Sequence, residues 1–179
     1  SRAGGARHRM SPGSWRRFER LAPRLVALVA ASGAPDLALS RLDSFVARVG
    51  ARGTTYTLLA ESPGVAEALV RLFARSGYLS ELLIAHPELL DALVLRGRGG
   101  ERPPRDAGDL LEELEPELAA RRDPDDVLLA LRTFQTAELL RVGLADLGGE
   151  LEGVAQRWLT ELAVATVRAA AGLARRGMQ

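Results

Sequence analysis

The densest group of side chains able to do chemistry is the acidic run Asp123-Pro124-Asp125-Asp126. Asp-x-Asp is the spacing with which nucleotidyl-transfer sites hold a divalent metal. A magnesium–phosphate site also needs a Gly-rich turn beside a rigid strand to hold the phosphates. No strand pattern stands near this run. A helix start explains the same residues: an aspartate to cap, a proline at the first turn, and two more carboxylates at the positive end of the helix dipole. Each such carboxylate is worth ~0.3–1 kcal/mol. The run is read as a helix entrance.

The other candidates are sparser. His86 stands before Pro87 at a corner, with no hydroxyl or carboxylate tied to it by local spacing, and is read as structural. Asp91 lies five residues on. Arg132, Glu138, Arg141 and Asp146 share one long helical stretch. Glu138 and Arg141, three apart, permit a surface pair of a few tenths of a kcal/mol. Arg132 and Arg141 both adjoin apolar positions, and an arginine drawn into a core needs a carboxylate partner. A structural ion-pair network is expected, with a partner-binding face as the alternative. The segment Gly50-Ala51-Arg52-Gly53 is too short for a phosphate cradle and reads as a turn.

Composition excludes several classes. There is no cysteine, hence no disulfide and no thiolate chemistry, and two histidines make a histidine metal site improbable. Every cation is arginine, yet the net charge is only +1 and aromatics are 4%. No nucleic-acid surface is expected from that balance; the Arg-rich N-terminus is the weak exception. No apolar run approaches the ~18 residues of a membrane span, and no signal peptide is read at the N-terminus. A cytoplasmic location is the expectation.

The positioning elements are helices. With 47% apolar residues and few β-branched runs, the core must be built from Leu, Ala and Val. Residues 1–13 read as a flexible tail. Ser11-Pro12 opens a helix carrying Trp15, Phe18, Leu21, Leu25, Leu28 and Val29, closed by Gly33-Ala34-Pro35. Asp36 is expected to cap the next, with Leu39, Leu42, Phe45, Val46 and Val49 as its apolar positions. Gly50 to Thr54 breaks the pattern. Residues 96–108 read as a linker. Three helices are expected after it: one with Leu110, Leu111, Leu114 and Leu118; a long one from Asp123 to Gly148-Gly149, including Val127, Leu128, Leu131, Phe134 and Leu139; and a last one with Val154, Trp158, Leu159, Leu162, Val167 and Leu173.

An internal repeat lies between. Leu58-Leu59-Ala60-Glu61-Ser62-Pro63 runs on to Val70, and Leu82-Leu83-Ile84-Ala85-His86-Pro87 runs on to Val94. Each unit reads as helix, proline corner, helix, with the proline at a helix's first turn. Such units cannot bury an apolar face alone, so they should stack. The fold class is all-α, a multi-helix bundle of stacked helical hairpins.

Three segments carry a resemblance. They are Arg48-Val49-Gly50-Ala51-Arg52 leading to Tyr56-Thr57-Leu58-Leu59-Ala60-Glu61-Ser62-Pro63; Leu79-Ser80-Glu81-Leu82-Leu83-Ile84-Ala85-His86-Pro87-Glu88-Leu89-Leu90-Asp91; and Leu131-Arg132-Thr133-Phe134 with Leu139-Leu140-Arg141-Val142 and Ala145-Asp146-Leu147-Gly148-Gly149-Glu150-Leu151. In this order they resemble the bifunctional glutamine synthetase adenylyltransferase/adenylyl-removing enzymes, from about Leu21 to about Ala171. The resemblance implies a joining region (14–95) between two nucleotidyltransferase domains, then the helical lead-in to the second (109–179).

For the family it implies ATP and magnesium as cofactors, glutamine synthetase and the PII signalling protein as partners, and glutamine as effector. The family's Gly-Ser and Asp-x-Asp strand is expected about where this sequence reaches Gln179. No catalytic, cofactor-binding or metal residue is therefore carried over, and no cofactor is expected in this chain. The family's last-helix Ser-Asp and Leu-Ala-Glu read here as Ala155-Gln156-Arg157-Trp158 and Leu162-Ala163-Val164, so no nucleotide contact is expected from that helix. The implied role is regulatory; a stand-alone helical interaction module is the alternative. His86, Asp91, Arg132, Arg141 and Asp146 are the candidate structural or partner-contact residues.

Overall fold

The computed structural model describes residues 12–49, 52–90, 105–149, 151 and 153–177. Among them the regular elements are all α-helices: α1 (Pro12–Ala30), α2 (Pro35–Val49), α3 (Arg52–Glu61), α4 (Pro63–Arg75), α5 (Gly77–Ala85), α6 (Ala107–Ala119), α7 (Pro124–Leu147) and α8 (Ala155–Gly177). This is the all-α class that the Leu/Ala periodicity requires. The chain separates into two compact units, Ser1–Pro87 and Glu88–Gln179.

In the first unit α1 packs on α3 and α2 on α4, while α5 closes against α2 and α4. The core is Leu21, Leu25 and Val29 of α1, Leu42, Phe45 and Val46 of α2, and Leu69, Leu72 and Phe73 of α4. The rings of Phe45 and Phe73 lie tilted with centroids 5.8 Å apart. Arg41 reaches across from α2 and donates to the Phe73 carbonyl at 2.6 Å, near the end of α4, where carbonyls lack helical partners. Ser76 then caps α5 by accepting from the Leu79 amide.

In the second unit α6, α7 and α8 all contact one another. Leu110, Leu114 and Leu118 of α6 meet Val127, Leu131 and Phe134 of α7 and Leu162, Ala165 and Ala169 of α8. A satellite cluster of Val142, Leu151 and Trp158 seals the far end of α7.

Several sequence expectations need correction. Asp36 is not the cap of α2: Pro35 opens that helix and Asp36 sits in its first turn, because proline's fixed φ and missing N–H suit the first helical position. The break expected through Thr54 is shorter, since α3 begins at Arg52. A helical glycine costs ~1 kcal/mol, but packing of Tyr56 and Leu59 outweighs it. Pro63 opens α4 as expected. Pro87 instead lies in the turn after α5, with helical backbone resuming at Leu89; proline commonly follows a C-cap because it cannot continue the helix. The rest of that second repeat, Asp91 to Val94, lies outside the described residues, as do residues 1–11 of the expected 1–13 tail and most of the 96–108 linker; Pro12 and Gly13 already belong to α1. Leu39, Leu128, Leu159 and Val167 are exposed rather than core, lying outside the narrower stripes that the neighbouring helices cover.

The last part of the expected linker is also structured. Asp106 caps α6 by accepting from the Gly108 and Asp109 amides at 2.8 and 3.0 Å, and Asp109 returns the bond to the Asp106 amide. Such a reciprocal box satisfies amides that the helix itself cannot. Replacing Asp106 with alanine is expected to cost ~0.5–2 kcal/mol, read as a lower thermal midpoint. Asp106→Asn is expected to retain most of the cap.

Candidate functional site

The capped start of α6 fixes a buried cluster of charges. The Ala107 amide, one of α6's unsatisfied N-terminal donors, bonds to Glu161 Oε2 of α8 at 3.0 Å. With the stem held from both sides, Arg105 turns inward. Its guanidinium pairs with Glu113 of α6 at 2.5 Å and with Glu138 Oε1 of α7 at 3.0 Å. One turn along α7, Arg141 takes the other oxygen of Glu138 at 2.8 Å. Its guanidinium carbon lies 4.6 Å from the centre of the Trp158 ring on α8, within cation–π range.

Glu138 is 0% exposed and Trp158 1%, while the side chains of Arg105 and Arg141 are 11% and 13% exposed. A carboxylate cannot remain charged in such a place alone; here two guanidiniums hold it. Two arginines and two glutamates leave the cluster neutral. Burial pulls the Arg105 pKa down, but its hydrogen bond to Glu113 and the charges of Glu138 and Glu113 outweigh that, so it lies above the ordinary guanidinium range. A cation raised in the folded state contributes its stability in full below its unfolded pKa and loses it only as pH climbs through the folded value. Arg105's contribution is thus expected to stay constant from neutral into alkaline pH, measurable as a flat Arg105→Met difference in stability over that range.

Chemically this cluster is a clamp. Each oxygen of Glu138 faces a guanidinium that does not give up its proton, so the carboxylate is set as a counter-ion rather than a general base. Through it the entrance of α6, the middle of α7 and the first turns of α8 are held in one register.

The sequence candidates fall unevenly around the clamp. Arg141 lies within it. Glu138, expected as half of a surface pair, is its buried centre. Arg132 and Asp146 are exposed and take no part in it; Arg132 is therefore not one of the drawn-in arginines. Adjacency to an apolar residue in sequence does not place Arg132 against the core, because neighbours on a helix point about 100° apart. His86 belongs to the first unit, exposed at the C-cap of α5, its amide donating to the Leu82 carbonyl at 3.0 Å. Asp91 lies outside the described residues. Sequence reasoning misses Arg105, Glu113 and Glu161 and reads Trp158 only as an apolar position. Asp106 and Asp109 at capping-box spacing were the available signal for a helix start beside Arg105.

The acidic run lies elsewhere. Asp123 caps α7, its side chain accepting from the Asp125 amide at 2.8 Å, and all three aspartates are exposed. The described residues bring together no three His, Cys, Asp or Glu side chains able to hold a metal. No reaction step is assigned to the described residues. No helix among the described residues is long and apolar enough to cross a membrane.

Comparison with known proteins agrees with the resemblance. The family model for glutamate-ammonia ligase adenylyltransferase matches residues 66–179. The chain is 34% identical over 152 residues to the bifunctional glutamine synthetase adenylyltransferase/adenylyl-removing enzyme of Thioalkalivibrio sulfidiphilus, covering 84% of this chain and 16% of that protein. It is 37% identical over 139 residues to the Pseudomonas aeruginosa enzyme of the same name (75% and 14%) and 36% identical over 152 residues to that of Stenotrophomonas maltophilia (84% and 16%). It thus spans about one sixth of the length of these relatives. No solved structure gives a significant match. With most of its residues aligned to them, and the family model covering well over half of it, the chain belongs to the glutamate-ammonia ligase adenylyltransferase family.

Proposed function

We propose that this chain serves as a helical joining and regulatory part of a bifunctional glutamine synthetase adenylyltransferase. Its role is to carry the response to the PII protein and glutamine to catalytic domains that use ATP and magnesium, in the cytoplasm. The observation that carries this reading is the kind of matter found in the aligned stretch. The described residues are helices whose best-placed ionisable groups are engaged in caps and in the Arg105–Glu138–Arg141 clamp. Three described helices locked by a neutral cluster suit transmission more than proton transfer.

The test is direct binding of the purified chain to PII, followed by surface-immobilised kinetics. Saturable binding that glutamine modulates is the expected outcome. No binding at the highest soluble concentration, with or without glutamine, would overturn the regulatory assignment.

A further inference from the structure

The first unit contains a cavity of about 310 Å³ between α1 and α3, lined by Arg20, Leu21, Arg24, Thr57, Ala60 and Glu61. That volume is at the lower end of the range of ~300–1,000 Å³ usual for small-molecule sites. Its walls are ordered by helix geometry. Arg20 and Arg24 stand one turn apart on α1, and Thr57 and Glu61 one turn apart on α3, so each pair faces the cavity together.

Like charges four apart on a helix repel by a few tenths of a kcal/mol, and among the described residues Arg20 and Arg24 have no carboxylate partner. Glu61 has no cation partner either. The cavity therefore holds two guanidiniums on one wall and a carboxylate on the other, with no ion pair joining them. The contrast with the second unit is informative, because there Arg105 and Arg141 close directly on Glu138.

A molecule that spans the gap satisfies both walls. A carboxylate suits the arginines, whose forked donors match its geometry. A hydrogen-bond donor nearby, ammonium or hydroxyl, suits Glu61. Leu21 and Ala60 complete the lining and offer apolar contact to a short carbon skeleton. We propose that this α1–α3 cavity binds a small carboxylate bearing an adjacent donor, an amino or hydroxy acid. Glutamine, the effector in the functional reading above, belongs to this ligand class, so the proposal deepens that reading; its own failure shows in the titrations below, and the failure of that reading shows in PII binding.

Alanine, lactate and propionate share one skeleton and differ only in carrying an ammonium, a hydroxyl or neither, so they test it cleanly. The whole chain is titrated with each by isothermal calorimetry and amide chemical shifts. Saturable binding of alanine or lactate is expected, with propionate about tenfold weaker, as loss of one charged hydrogen bond predicts. Whichever of the first two binds more tightly identifies the donor. Arg20→Gln and Arg24→Gln should each weaken binding about tenfold, and Glu61→Gln should bring alanine or lactate to within about twofold of propionate. All three positions are exposed, so the variants should fold, as circular dichroism checks. No saturable binding of alanine or lactate, equal binding of propionate, or unchanged affinity in both arginine variants would each overturn the assignment.

Discussion

Replacing Glu138 with alanine is expected to destabilise the second unit by about 3–5 kcal/mol, the cost of breaking a buried ion pair from one side. The loss arises because Arg105 and Arg141 stay where they are, nearly buried, with their shared counter-ion gone. Removing all three charges together should cost far less. Arg105→Met, Glu138→Leu and Arg141→Met in one chain leaves no buried charge stranded, because the remaining Glu113 is exposed, and such apolar replacements are often neutral or stabilising. The difference between the single and the triple variant separates desolvation from packing. Arg132→Ala, an exposed change on the same helix, is expected to stay within ~0.5 kcal/mol. Hydrogen exchange of the Leu114 and Leu140 amides reads the effect within this unit. Protection in Glu138→Ala equal to that of the Arg132 control would contradict the clamp.

Trp158→Ala is expected to cost about 3–5 kcal/mol, typical of truncating a fully buried large aromatic. The indole fills the cluster with Val142 and Leu151 and also forms the surface on which Arg141 rests. The two contributions can be told apart. Trp158→Phe keeps a ring for packing while weakening the cation–π contact, so it should cost much less than alanine. A double-mutant cycle with Arg141→Met should return a coupling of ~0.5–2 kcal/mol. A coupling near zero, with the alanine loss intact, would make Trp158 a packing residue only.

The helices were legible from sequence because Leu and Ala recur at helical spacing and because prolines and aspartates mark entrances: Pro12, Pro63 and Asp123-Pro124 all stand where helices begin. The clamp was half legible. Arg141 and its need for a carboxylate follow from its place among apolar residues, and Glu138 lies at pairing distance along the helix. That Glu138 is fully buried could not be read from α7 alone, because this helix has apolar residues around most of its circumference and no clear polar face. Arg105 was hidden for a different reason. It sits 33 residues before Glu138, at the edge of a Gly-, Pro- and Arg-rich stretch whose composition signals a loop. Only tertiary packing, with the Ala107 amide tied to Glu161, turns it inward.

The proposed regulatory role implies that this chain works by fold and contact rather than by adenylyl transfer of its own. Incubating the purified chain with glutamine synthetase, α-labelled ATP and magnesium tests it most directly. The account predicts no label on glutamine synthetase beyond that seen without the chain; label on a glutamine synthetase tyrosine that depends on the chain would contradict it.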